Sequence, residues 1–256
     1  MQAGRWLAVF IVTWGAWAAA SSTRADEIKV LSAGAVKDIV AEIAESFRQE
    51  TGHTIALSTG TAGGIRQKMT AGDPADVVIV TDTVLEQLAA AGLIHANSRS
   101  DIARTGIGVA VREGAPSPDI STVEAFKRSL LAAKSIVYLD PASGATSGVY
   151  IAGLLRRLGI ADQVKDKTLL WPGGFAAEAV AKGQAELCLH QISEILPVKG
   201  VRLVGPLPRE IQKITTYAAA LSTGAGAPTG ARAFIAFLTR PTYKAKFAAA
   251  GLDFHE

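Results

Sequence analysis

Cys188 is the only cysteine in the chain, so no intrachain disulfide can brace the fold. It stands in the apolar run Leu187-Cys188-Leu189, the setting of a buried, inert thiol. Histidine is nearly as scarce. His53, His95, His190 and His255 are scattered, without metal-ligand spacing, and neither a metal site nor a cofactor is expected. The glycine-rich stretch 59–70 is not followed by Gly-Lys-Ser/Thr, which excludes a P-loop. Gly144-Ala145-Thr146-Ser147-Gly148 carries threonine where G-x-S-x-G requires serine. No internal repeat or low-complexity tract is present. Surplus charge is missing too: 26 Lys and Arg face 23 Asp and Glu. A nearly neutral chain has no basic surface for nucleic acid.

The strongest single feature lies at the N-terminus. Arg5 precedes an apolar run over residues 6–17, broken only by Thr13 and Gly15, and Ala18-Ala19-Ala20 gives way to Ser21-Ser22-Thr23-Arg24. Charge, apolar core and small residues in this order make a secretory signal peptide, expected to span residues 1–25. Its core of about a dozen residues is short of the roughly 20 that a bilayer span needs. Its removal takes away Arg5 and Arg24 and no acid, so the formal charge falls from +3 to +1. No cysteine near the cleavage region offers a lipid attachment point, which favours a Gram-negative periplasm.

After the leader, short apolar strands alternate with amphipathic helices. Strands are expected at 28–31, 54–57, 77–80, 107–111, 136–139, 169–171 and 187–189, with an extended segment over 214–221. Between them, Val36, Ile39, Val40, Ile43 and Phe47 mark one helical face, with Lys37, Asp38, Glu42 and Glu45 on the other. Further helices are read from Ile65, around Val84–Leu88, at 123–131, 149–158 and 175–182, and over 231–238 and 242–250. The alternation argues for an α/β protein with mostly parallel sheets covered by helices. Pro/Gly-rich stretches at 112–118 and 200–208 interrupt it, so two sheets are more natural than one.

Four loops share one design. Ser32-Ala33-Gly34-Ala35, the stretch 59–64, the stretch 141–148 and Pro172-Gly173-Gly174 each follow a strand, feed a helix and consist of small residues. In open α/β sheets ligands bind beyond the carboxyl ends of the strands. Helix N-termini there present unpaired N–H groups and partial positive charge, and small residues let an anion approach the backbone. Ser and Thr add donors without formal charge. A small anionic ligand is therefore expected. No convergent nucleophile–base pair is evident, and enzymatic activity is not expected. A hydrolase would need His190 within reach of Ser143 or Ser147 with an acid behind it. Asp76 and Asp82, flanking a strand, suit capping and turn roles.

In chain order, Val30-Leu31-Ser32-Ala33-Gly34-Ala35, Ala71-Gly72-Asp73-Pro74-Ala75-Asp76-Val77, Asp140-Pro141 with Ser147-Gly148-Val149-Tyr150, Lys199-Gly200-Val201 and the closing helix 234–238 resemble the periplasmic molybdate-binding protein family, solute receptors of ABC importers. The resemblance runs over 27–254, and its most recognisable segment is A-G-x-P-A-D. It implies a two-lobed type II periplasmic-binding fold. Residues 26–105 plus 217–256 would form lobe 1 and 106–216 lobe 2, with crossings near 105–109 and 215–219. Ligand would be held between the lobes and released to a cognate ABC permease by a monomeric receptor.

The resemblance also implies ligand residues, and here the chain departs from the pattern. The family's two loop serines fall on Ala35, beside Gly34, and on Ala62, beside Thr61. Its backbone donors fall near Ser147 and Gly173–Gly174, and its tyrosine falls on Gln191. Thr61, Ser143, Thr146 and Gln191 are candidate replacement donors, and Arg66 is a candidate to reach the cleft. Three changed donors leave the ligand open between a molybdate- or tungstate-like oxyanion and a small organic carboxylate. A ligand sensor serving a signalling receptor is the alternative to import.

Overall fold

The computed structural model describes residues 25–253; the proposed leader, except for its last residue, and His255 lie outside them. The first half opens with β1 (Glu27–Ala33), a 3-10 turn over Gly34–Val36 and α1 (Lys37–Thr51), followed by β2 (Thr54–Gly60), α2 (Ala62–Ala71), β3 (Val77–Thr81), α3 (Asp82–Ala90) and β4 (Ser100–Thr105). The second half runs through β5 (Ile107–Arg112), α4 (Val123–Ala132), β6 (Ile136–Leu139), α5 (Thr146–Arg157), α6 (Ala161–Val164), β7 (Thr168–Trp171), α7 (Ala177–Ala181), β8 (Leu187–Gln191), α8 (Ile192–Ile195) and β9 (Val201–Pro206). The chain then returns to the first half as β10 (Thr215–Leu221), α9 (Pro228–Leu238) and α10 (Lys244–Ala249).

Two five-stranded sheets result, ordered β2-β1-β3-β10-β4 and β7-β6-β8-β5-β9. Each has three parallel strands on one side and two antiparallel partners on the other. The antiparallel pairs arise where the chain changes sheets, from β4 to β5 through Gly106 and back from β9 to β10 over residues 207–214. Gln212 clasps these two passages. Its Oε1 accepts from the Ile107 N–H at 2.8 Å, and its Nε2 donates to the Ile107 carbonyl at 2.9 Å.

Local packing follows from the pattern. Ile39, Val40, Ile43 and Phe47 of α1 are buried, and Phe47 meets Phe234 and Phe237 of α9 edge-on at 5.2 and 5.1 Å, a favoured aromatic geometry. Asp76, in the A-G-x-P-A-D segment, is buried at the amino end of β3, away from the loops that follow the parallel strands. Its carboxylate accepts from the backbone N–H of Lys29 and Ala227, so its role is to join three chain segments. Cys188 is free and fully buried, and burial pushes its thiol up.

Four elements differ from the sequence expectation. The stretch 200–208 contains β9 instead of a simple break, and β4, α6 and α8 were not anticipated. β4 and β9 are edge strands, where polar residues and a terminal proline are tolerated and the apolar signal is weak. The helices α2 and α5 also start earlier than read, at Ala62 and Thr146. The apparent length of those two loops is the first turn of each helix.

Candidate functional site

The carboxyl ends of the parallel strands of both sheets face one another across a cavity of about 230 Å³. This is below the roughly 300–1,000 Å³ of drug-sized sites, the scale of a small solute. Its walls are Ala33, Gly34, Ala35 and Lys37 from the first loop and helix, Thr59–Ala62 from the second, Leu139 and Ala145–Ser147 from the third, and Gly173–Phe175 from the fourth. Gln191, Glu194 and Tyr217 complete it. The long helices α1, α2 and α5 all begin at this wall, so their first turns bring N–H groups with no intrahelical partner.

Nine of the ten residues singled out from sequence meet here: Gly34, Ala35, Thr61, Ala62, Thr146, Ser147, Gly173, Gly174 and Gln191. Ser143 does not line the cavity. Its hydroxyl donates to the Asp140 carbonyl at 2.7 Å, and its own carbonyl accepts from the Thr61 hydroxyl at 2.6 Å. The Thr61 oxygen also caps α2 by accepting from Gly64 N–H at 3.0 Å, so this hydroxyl is committed to the fold. Arg66 is exposed and stays outside the lining.

The two halves touch across the cavity mouth. Gly63 N–H donates to the Gly144 carbonyl at 3.1 Å, and a Cβ on Gly63 would lie 2.8 Å from the Gly144 Cα. Gly144 itself has φ of 70°, a conformation that glycine adopts without steric cost. The Lys37 ammonium of α1 sits 4.0 Å above the Phe175 ring, a cation–π contact from one half to the other. Tyr217 of β10 donates its hydroxyl to Gln191 Oε1 at 2.7 Å. That bond orients the Gln191 amide, and its Nε2 is left buried with no hydrogen-bond partner among the described residues. A buried donor without a partner costs about 1–3 kcal/mol, which a ligand acceptor in the cavity would recover.

Behind this wall lies a buried polar cluster. Gly174 carbonyl can only accept, so the His190 Nε2, 3.2 Å away, carries the proton. The other ring nitrogen, Nδ1, faces Ser147 Oγ at 3.4 Å and Glu194 Oε2 at 3.5 Å. His190 is fully buried and Glu194 is 6% exposed. Burial pushes the Glu194 carboxyl above the ordinary range, opposed by the nearby His190 and Lys37. The expectation that no nucleophile–base pair exists is thus corrected in part: His190 reaches Ser147 with an acid alongside. The arrangement is still not a hydrolytic triad, which needs serine and acid on opposite ring nitrogens. Here both address Nδ1.

Sequence reasoning missed Lys37, Phe175, Glu194 and Tyr217 as cavity residues. The only available signal was that Phe175 directly follows, and Lys37 lies two residues after, a loop already marked as a site.

A family model described as bacterial extracellular solute-binding protein matches residues 28–253. The chain belongs to that family. An aconitate isomerase from Pseudomonas sp. is 34% identical over 217 residues, covering 82% of this chain and 81% of the relative. The molybdate-binding protein of Escherichia coli (strain K12) is 26% identical over 248 residues, covering 94% and 95%. Among solved structures, the periplasmic molybdate-binding protein of Azotobacter vinelandii superposes with a TM-score of 0.74 at 20% identity, covering 90% of this chain and 100% of that one. The two-sheet architecture is that of the type II periplasmic-binding fold. The family is one of solute-binding proteins, and the cavity is lined by loops from both sheets.

Proposed function

We propose that this protein is the periplasmic solute-binding component of an ABC importer, exported by removal of residues 1–25, and that its ligand is a small organic polycarboxylate. The lobes are 26–105 with 217–256 and 106–216, and the monomer closes over its ligand before delivering it to a cognate permease. The observation that carries the choice of ligand is the Gln191 Nε2, without a partner among the described residues, on a residue that lines the same cavity as Lys37. One fixed amide donor, one cation and three helix N-termini spread around the walls suit carboxylates at several points of a molecule. The serine and tyrosine donors implied for a tetrahedral oxyanion are replaced by Ala35, Ala62 and Gln191.

Isothermal titration with molybdate, tungstate, sulfate and a panel of di- and tricarboxylates including aconitate tests this. Heat from a carboxylate and none from the oxyanions is expected. Tight molybdate or tungstate binding without carboxylate heat would overturn it.

A second reading, an isomerase acting on an unsaturated tricarboxylate, is favoured by the His190–Glu194 pair at the cavity wall and by the relative whose name states that activity.

A further inference from the structure

We infer that Glu194, backed by His190, is the acid–base group that moves a proton between two carbon atoms of the bound polycarboxylate. The inference rests on the organic-acid reading of the site. A receptor that only captures anions needs no wall group that repels the ligand once it loses its proton. Glu194 nonetheless lines the cavity while almost wholly buried. Its Oε1 lies 3.4 Å from where a Cβ on Gly34 would stand, beside the first anion-binding loop, and its Oε2 faces the His190 Nδ1 at 3.5 Å. Because Nε2–H is committed to the Gly174 carbonyl, Nδ1 is the only ring position open to a proton. A proton shared by the pair would sit on Nδ1 with Glu194 ionised or on Glu194 with the ring neutral.

That supports a balanced step on an acid such as aconitate, whose methylene is flanked by a carboxylate and an alkene. Ionised Glu194 takes a methylene proton. The C–H electron pair delocalises over the three carbons into the adjoining carboxylates, whose growing charge falls beside Lys37 and the first turn of α5. The same proton, or one exchanged with it, is delivered to the far carbon. Alkene and methylene change places, and the new alkene takes either geometry. No electron is gained or lost, and no co-reactant is consumed. Besides His190, the groups whose charges act on Glu194 are Lys37 and Asp38 of α1, and the Cys188 thiol and Tyr217 hydroxyl lie in its field. Glu194 touches the cavity and is the catalytic residue; His190 acts through it as a positioning residue.

The test is proton NMR of trans-aconitate with the full chain in D2O, following loss of the methylene signal and growth of the cis isomer, beside calorimetry of binding. Wild type is expected to exchange and isomerise. Glu194→Gln keeps the shape of the side chain and carries no negative charge but cannot take up a proton, so ligand should bind at least as tightly while exchange falls by about 10²-fold or more. Glu194→Asp, which keeps the acid one methylene further back, should retain intermediate activity. His190→Gln should lower kcat with little change in KM and move the pH profile of kcat. Aconitate binding by wild type with no exchange above the protein-free rate overturns the inference and leaves the organic-acid reading standing, as does wild-type exchange in Glu194→Gln. No binding of any polycarboxylate removes both.

Discussion

Glu194 and Gln191 lie three residues apart, and both face the cavity, but they affect stability differently. Glu194 is held protonated more readily in the fold than in the unfolded chain, because burial raises its carboxyl above the ordinary value of 4.5. Between the two values the folded state binds more protons, so stability is fully present below the ordinary value and is lost as pH rises through the raised one. Glu194→Gln removes that dependence. Melting curves from pH 4 to 8 should show the variant gaining on wild type as pH rises; parallel curves would mean that Glu194 is ionised in the fold at no cost. Gln191→Leu instead removes the acceptor of the Tyr217 hydroxyl and the donor assigned to ligand. Orphaning the buried hydroxyl costs about 1–3 kcal/mol, but the Nε2 that lacks a partner among the described residues goes with it, so the ligand-free Tm should change little while carboxylate affinity falls roughly tenfold, as the loss of one hydrogen bond of about 1.4 kcal/mol implies. Sequence placed Gln191 in the site but not its partner. Tyr217 is an inward-facing residue of a strand, indistinguishable by pattern from core, and Lys37 sits at a position that in an ordinary amphipathic helix would be solvated.

At the scale of elements, glycine governs how closely helix ends approach the site. A Cβ at Gly148, in the first turn of α5, would fall 2.2 Å from the Leu139 carbonyl oxygen. Gly148→Ala must push the start of α5 away from β6, at an overpacking cost of about 1–3 kcal/mol. It should lower both Tm and carboxylate affinity; calorimetry and a thermal melt check the two together. Gly63→Ala differs, since the obstructed atom, Gly144 Cα, belongs to the other half. The halves can separate to relieve it, so affinity should fall while the ligand-free Tm barely moves. The four small-residue loops were legible because strand, glycine cluster and helix recur in order. The fifth contributor, β8 into α8, was not, because a four-residue helix is too short to show a period, and Glu194 was lost with it. β4 and β9 escaped for the related reason that edge strands lack the continuous apolar run of buried parallel strands.

For the whole molecule, the proposed capture requires that a closed arrangement be favoured when ligand is present, and on that reading the passages between the sheets would set how freely the halves move. Gln212 makes three hydrogen bonds there, two to Ile107 and one accepted from the Lys213 N–H at 2.9 Å. A single side chain thus fixes the outgoing strand β5 to the returning segment that leads to β10. Gln212→Ala removes all three without touching the cavity. With the clasp gone, more relative orientations become accessible to the ligand-free protein, and the binding-competent fraction falls. The apparent Kd rises in inverse proportion to that fraction, although every ligand contact is retained. Small-angle scattering should then show a larger ligand-free radius of gyration than wild type, returning to the wild-type value at saturating carboxylate, with weaker binding by calorimetry. If radius and Kd both match wild type, the strands β4–β5 and β9–β10 alone set the geometry of closure, and the Gln212 clasp serves only local stability.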